Sequence, residues 1–237
     1  GLTRRDFLKQ GVAAGLGLTA LSLAGWPHRV EAQRLPGSKA ALDSSNARKG
    51  GTLRYRILGD PPLLDPHMHL SFLTQMFAGQ IYSRLLRYDF GEGVDANTRH
   101  LLPDLAEKWE QSDELTYKFY LKKGVKFHNL PPVNGRELVA DDIKFSLERH
   151  LNPAVGSPVT HYFSDIASID LPDKHTVIIK TKEPFPPMAT YLGSYFSWIL
   201  PKEVIEKEGD AKKTTIGTGP FILDEYVRNS KITFNKN

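Results

Sequence analysis

The chain has 237 residues, 40% hydrophobic and 24% charged, enough to bury one sizeable core or two small ones. It has no cysteine, which excludes disulfides, thiolate chemistry, cysteine-ligated metals and a lipid-modified N-terminal cysteine. Its net charge of +4 comes from interspersed acidic and basic residues with no basic block, so nucleic-acid binding finds no support.

The first segment reads Thr3-Arg4-Arg5-Asp6-Phe7-Leu8-Lys9, followed by GVAAGLGLTALSLAG, an apolar run broken by Gly15 and Gly17. At about 14 residues it is too short to span a membrane, which takes about 20. It fits the apolar middle of an export signal. The paired arginines and their flanks resemble the twin-arginine export signal at every position. Val30 and Ala32 are small and two apart, which places cleavage after Ala32. An ordinary amphipathic N-terminal helix is the alternative. On the export reading the translocation machinery of that route is a partner. The mature chain, with no anchor and no second apolar span, is then free in the periplasm. The leader carries half of the net charge, through Arg4, Arg5, Lys9 and Arg29 against Asp6 and Glu31.

Residues 33–49 are small, polar and without periodicity, a flexible linker. In GGTLRYRIL, Leu53, Tyr55 and Ile57 alternate with polar residues, which predicts a strand with one buried face. The prolines of GDPPLLDPH force a loop. Phe72, Met76, Phe77, Ile81, Leu85 and Leu86 have the spacing of one helix face. The segment 107–129 reads as three short strands turning at Ser112-Asp113-Glu114 and Lys122-Lys123-Gly124. Tyr117, Phe119 and Leu121 share a face of the middle strand. ADDIKFSLERHL places Ile143, Leu147 and Leu151 four apart, with acidic residues in the first turn, and Asn152-Pro153 ends that helix. Two strands follow around Pro172-Asp173, then a partly helical stretch dense in aromatics, then a hairpin turning at Arg228-Asn229-Ser230. The mixture without a regular βαβ rhythm indicates an α/β protein with an inserted, hairpin-rich module.

No GxSxG elbow, HExxH or P-loop is present, so no enzymatic set is identified and no cofactor is expected. Gly217–Pro220 (GTGP) precedes a strand and reads as a structural turn rather than a phosphate cradle. His67 and His69 suggest a metal site, but zinc needs three or four ligands, and His128 and His161 stand apart; no metal is expected. Asp141 and Asp142 read as helix-start acidity rather than paired acid/base carboxylates.

The segments GGTLRYRI…PLLDPH, QIYSRLLRYD, LLPDLAEKWEQSDELTYKFYLKKGVKFHN, VADDIKFSLER, DKHTVIIKTKEPFPP and IGTGPFILDEY occur in the order of one family. The chain resembles the extracytoplasmic solute-binding proteins of ABC importers, in the subfamily that takes dipeptides, oligopeptides and nickel. The resemblance implies a periplasmic-binding-protein type II fold, a two-lobed clamp closing on a solute and delivering it to permease subunits in the inner membrane. It implies a discontinuous first lobe over 50–80 and 172–237, an inserted subdomain over 81–171, and a monomer. Family chains run to more than twice this length, so the sequence is expected to be a fragment without the second lobe. The loop 128–142 is longer than the family's, and Val139 stands at the usual Ser/Thr cap position, so the helix is expected to start at Asp141.

The resemblance also implies where a solute touches. The loop and helix start after Asp65-Pro66-His67 give His69, Leu70, Ser71, Phe72 and Met76. The loop after the long helix gives His161 and Tyr162, and the aromatic stretch gives Ser194, Tyr195, Phe196 and Trp198. These aromatic walls with few charges suit a short peptide. Core packing is the alternative reading of Phe72, Phe196 and Trp198. A nickel complex, a sugar or an opine is the alternative solute, although Ser194 stands where a nickel-complex binder carries an arginine. A sensor using the same fold, or a secreted hydrolase, are the alternative classes.

Overall fold

A computed structural model describes residues 50–90, 94–95 and 100–237. The expected leader 1–32, the expected cleavage point and the expected linker 33–49 lie outside these residues.

The alternating segment at 52–57 is not a strand. Leu53 and Tyr55 are exposed, and no strand lies beside it among the described residues. A period-two pattern specifies a face but supplies no neighbour, and a lone strand has no ladder to hold it. After the proline loop comes α1 (Phe72–Ile81), capped by Ser71, whose hydroxyl accepts the Leu73 N–H at 3.3 Å. The apolar spacing continues to Leu86, yet α1 ends at Ile81. Crossing segments take the carbonyls that another turn needs. Gly219 N–H donates to Ile81 O at 2.7 Å, Ile199 N–H to Ser83 O at 3.0 Å, and Leu105 N–H to Arg84 O at 2.8 Å. Leu85 and Leu86 are buried from an extended stretch instead. Leu86 opens β1 (Leu86–Tyr88), paired antiparallel with β2 (Leu101–Pro103), two strands too short to show a pattern in sequence.

β3 (Ala106–Gln111) and β4 (Thr116–Leu121) form the predicted hairpin. Tyr117, Phe119 and Leu121 are buried while their alternating neighbours are half-buried. The expected third strand is reduced to one bridge, Lys126–Glu137. His128 N–H turns away to Gly217 O at 2.9 Å. α2 (Ala140–Leu151) starts at Ala140 rather than at Asp141, with Val139 as its cap residue. Valine has no acceptor, but Asp142 closes the end from the other side, accepting the Val139 N–H at 3.0 Å.

Asp142 also receives Arg136 through two nitrogens, at 2.8 and 2.6 Å, and Arg136 reaches Glu203 at 2.7 Å. Its guanidinium lies over Phe127, 4.9 Å from the ring centroid. Arg136→Met strands the buried Asp142 carboxylate. It is expected to cost about 2–3 kcal/mol, read as a lower urea midpoint at unchanged slope.

A 3₁₀ turn (Thr160–Tyr162) leads to β5 (Ile166–Asp173) and β6 (Thr176–Thr181). Their turn falls at Lys174-His175, two residues beyond the expected place. Asp173 Oδ1 accepts the His175 N–H at 2.7 Å, and Pro172 sits at a register irregularity of an edge strand, where its missing N–H is tolerated. The sheet is antiparallel in the order β3-β4-β6-β5, with α2 packed on β5 and β6. β6 lies between β4 and β5, so the boundary expected at 171/172 cuts a hairpin. Ladder hydrogen bonds hold 166–181 in the same sheet as β3 and β4.

α3 (Met188–Leu192) and α4 (Lys202–Glu208) follow, then β7 (Phe221–Val227) and β8 (Lys231–Lys236), a hairpin turning where predicted, with Asn229 at φ 58°. One contiguous core runs from Leu64 and Ile81 through Phe119 and Ile179 to Trp198 and Ile216. Among the described residues no helix is long and apolar enough to cross a membrane.

Candidate functional site

His69 Nδ1 accepts the Ser71 N–H at 2.8 Å, which bends the loop into α1. Gln75, one turn into α1, donates to His69 O at 2.8 Å and to Pro66 O at 3.1 Å. Its Oε1 accepts the indole N–H of Trp198 at 2.7 Å. One buried amide therefore ties the first expected segment to the third. Trp198 is 4% exposed and carries the Arg84 guanidinium 4.6 Å from its ring centroid. Trp198 is a strut of the core. Ser194 is also buried, its hydroxyl facing the Phe196 N–H at 3.4 Å.

The second segment meets the third through rings. Tyr162 stacks on Tyr191 with centroids 4.0 Å apart and planes 6° from parallel, and it meets Phe196 edge-on at 6.0 Å. His161 packs against Tyr162 at 4.7 Å, and Tyr195 against Phe196 at 4.7 Å. Leu70, Phe72, His161 and Tyr195 remain exposed, while His69, Ser71, Met76, Tyr162 and Phe196 are half-buried. The three expected segments are thus brought together, with Trp198 and Ser194 turned inward and Phe72 outward.

Beneath them lies a polar cluster. Asp65, 0% exposed, accepts Arg149 through two nitrogens at 3.0 and 2.7 Å, His67 N–H at 3.1 Å and Ala211 N–H at 2.9 Å. His67 Nε2–H donates to Trp198 O at 2.7 Å, and its ring lies 3.9 Å from that of His150. His150 Nδ1 pairs with Ser157 Oγ at 2.8 Å, and its carbonyl accepts the Thr160 hydroxyl at 2.9 Å. Burial first, and the nearby Arg149 charge second, push the His67 imidazole down to about 3. Burial, then His67 and Arg149, hold His150 well below its ordinary value, so both rings are neutral at pH 7.

His67 and His69 do not converge, one facing Trp198 O and the other Ser71 N–H. Among the described residues no group of three or more His, Cys, Asp or Glu is placed to hold a metal. Ser157 and His150 have the atoms of a nucleophile and base, but both are sealed in the core. A groove of about 520 Å³ between α2 and α4 includes Met68, Phe145 and Ile205 and none of the expected residues. Of those residues, Leu70, Phe72, His161 and Tyr195 face solvent.

The profile of the bacterial extracellular solute-binding proteins, family 5, middle region, matches residues 100–237. The chain belongs to this family. It is 32% identical over 217 residues to the dipeptide-binding protein of Escherichia coli K12, covering 83% of this chain and 39% of that one. The solved DppA periplasmic binding protein from Helicobacter pylori, in complex with the peptide STSA, superposes with TM-score 0.65 at 29% identity, over 76% of this chain and 38% of that chain. AgaA from A. tumefacien R10, in complex with agropinic acid, superposes with TM-score 0.66 at 29% identity, over 75% and 34%. The family 5 chain spans 34–39% of the length of these relatives. Its mixed α/β fold is that of the periplasmic binding proteins, as the resemblance implied.

Sequence reasoning missed Gln75, Arg149, His150 and Tyr191 around the candidate site. Ser146, Arg149 and His150 are buried on α2 beside Ile143 and Leu147, so its inward face is wider than its apolar stripe. The one available signal for Arg149 was Asp65, an unpaired acid in an apolar loop. Nothing local joins residues 84 positions apart.

Proposed function

We propose that the full-length protein is the solute-binding component of an ABC importer. It captures short peptides in the periplasm and hands them to permease subunits in the inner membrane. In this reading it is a monomer exported by the twin-arginine route. Residues 50–80 and the segment after β6 belong to its first lobe, with the hairpin-rich sheet inserted between them. One observation carries the binding reading. Three distant segments are tied together from beneath, and each ends in exposed side chains, namely Leu70 and Phe72, His161, and Tyr195. Aromatic and aliphatic faces suit the apolar side chains of short peptides. The peptide-bound and agropinic acid-bound neighbours are equally similar, which favours a small organic acid of that kind as the second reading.

Titration calorimetry of the full-length protein with a pool of di- to hexapeptides, and with agropinic acid in parallel, tests this. Saturable heat from peptides is expected. Phe72→Ala and Tyr195→Ala are expected to weaken it about tenfold or more without moving the urea midpoint, since both side chains are exposed. Trp198→Ala is expected to lower that midpoint. Binding of agropinic acid alone would move the assignment to the second reading, and binding of neither would overturn both.

A further inference from the structure

The buried pair His67–His150 is not needed to touch a solute, yet it joins every segment that does. His67 holds Trp198 through its carbonyl and stands two residues before His69. The His150 ring holds the loop carrying His161 and Tyr162 through Ser157 Oγ, and the Thr160 hydroxyl of that loop donates to the His150 backbone carbonyl. The two rings are 0% and 1% exposed and stacked at 3.9 Å. No anion is left over for a proton arriving there. Asp65 is the nearest carboxylate, and Arg149 with two backbone N–H groups already fills it. The Tyr82 hydroxyl, which burial keeps neutral, and Asp210 beyond α4 are the other titratable groups around Asp65. Phe163 closes the far side of His150, with ring centroids 4.9 Å apart.

We propose that His67 and His150 form a proton-operated latch, which holds the three segments together when neutral and releases the 157–163 loop and Trp198 when protonated. The inference rests on the solute-binding reading for its purpose but not for its mechanics. Charge on either ring meets Arg149 and the other imidazole in a water-excluded site, and that cost outweighs the Trp198 and Phe196 carbonyls, which favour a protonated ring. Opening lets each ring return to its ordinary value of 6.5. The sign follows. The rings hold fewer protons closed than open, so closure is fully favoured above pH 6.5 and weakens as pH falls toward the closed-state value near 3. His67 alone shifts the open-to-closed ratio by about tenfold per pH unit between 6.5 and its closed-state value, and His150, also held below its ordinary value, adds to the shift in the same direction.

Backbone hydrogen exchange on the full-length protein without solute reads the latch directly. Between pH 7 and 5, after correction for intrinsic rates, protection of 157–163 is expected to fall at least tenfold more than that of β4. The double variant His67→Gln, His150→Gln is expected to lose that difference. A parallel fall in both segments of the unmutated protein overturns the latch, whether or not the variant folds. So does an unchanged difference in the variant. Calorimetry at pH 7.5 separates the two ideas. Absence of binding there would sink the functional reading and leave the exchange result standing.

Discussion

Asp65→Ala is expected to destabilise the fold by about 3–5 kcal/mol. The Asp65 carboxylate is wholly buried and accepts four hydrogen bonds, two of them from an arginine whose side chain is 3% exposed. Its loss leaves the Arg149 charge and two N–H groups unpaired in the core. Typical domains hold about 5–15 kcal/mol in total, so this single change uses up a fifth of it or more. Asp65→Ala combined with Arg149→Met is expected to recover part of the loss, because no lone charge remains. Lys180→Met breaks the half-exposed Lys180–Asp170 pair at 3.3 Å and is expected to cost less than about 0.5 kcal/mol. Urea unfolding of the full-length variants compares them. A shift for Asp65→Ala no larger than that for Lys180→Met would falsify the anchoring role of the buried pair.

Gly217→Ala is expected to cost about 2–4 kcal/mol, and Gly219→Ala a similar amount. A Cβ on Gly217 lies 2.1 Å from Ile81 O, and one on Gly219 lies 2.6 Å from Ile81 O. Both obstacles are backbone atoms at the end of α1, so no side chain can swing aside. The approach is fixed on the other face by His128. Its N–H donates to Gly217 O at 2.9 Å, and its Nε2–H to Gly219 O at 3.1 Å. Burial lowers the His128 imidazole below its ordinary value and keeps it neutral there. Gly124 has positive φ but nothing within 4 Å, so Gly124→Ala isolates the backbone term and is expected to cost about 1 kcal/mol. Thermal unfolding ranks the three. Equal losses at Gly124 and Gly217 would remove the steric explanation.

The glycine-rich GTGP segment, a bend at 218–220, has a structural use in its close approach to Ile81, but that partner lies 136 to 138 residues away and left no local trace. β4, α2 and the β7–β8 hairpin were legible because a period and its turn residues are local properties. The segment 52–57 has as clean an alternation as β4 and forms no strand, because pairing depends on a neighbour that the pattern does not contain. In the candidate site, Phe72 and Trp198 had equivalent standing in sequence. One is 70% exposed and the other 4% exposed. Trp198 goes inward because Gln75 offers its N–H a buried acceptor and Arg84 covers its ring.

The amino-acid sequence by itself determined the family, the absence of cysteine chemistry, the strong local elements and the three segments that surround the candidate site. Each of these rests on residue types in order along the chain. The tertiary structure alone decided that Asp65 meets Arg149, that His67 stacks on His150, that Gln75 braces Trp198, and where α1 stops. Those outcomes depend on which distant groups are left without water and must find each other. A buried charge or N–H has a large cost alone and a small one when paired, so the pairing is set by packing of the whole core.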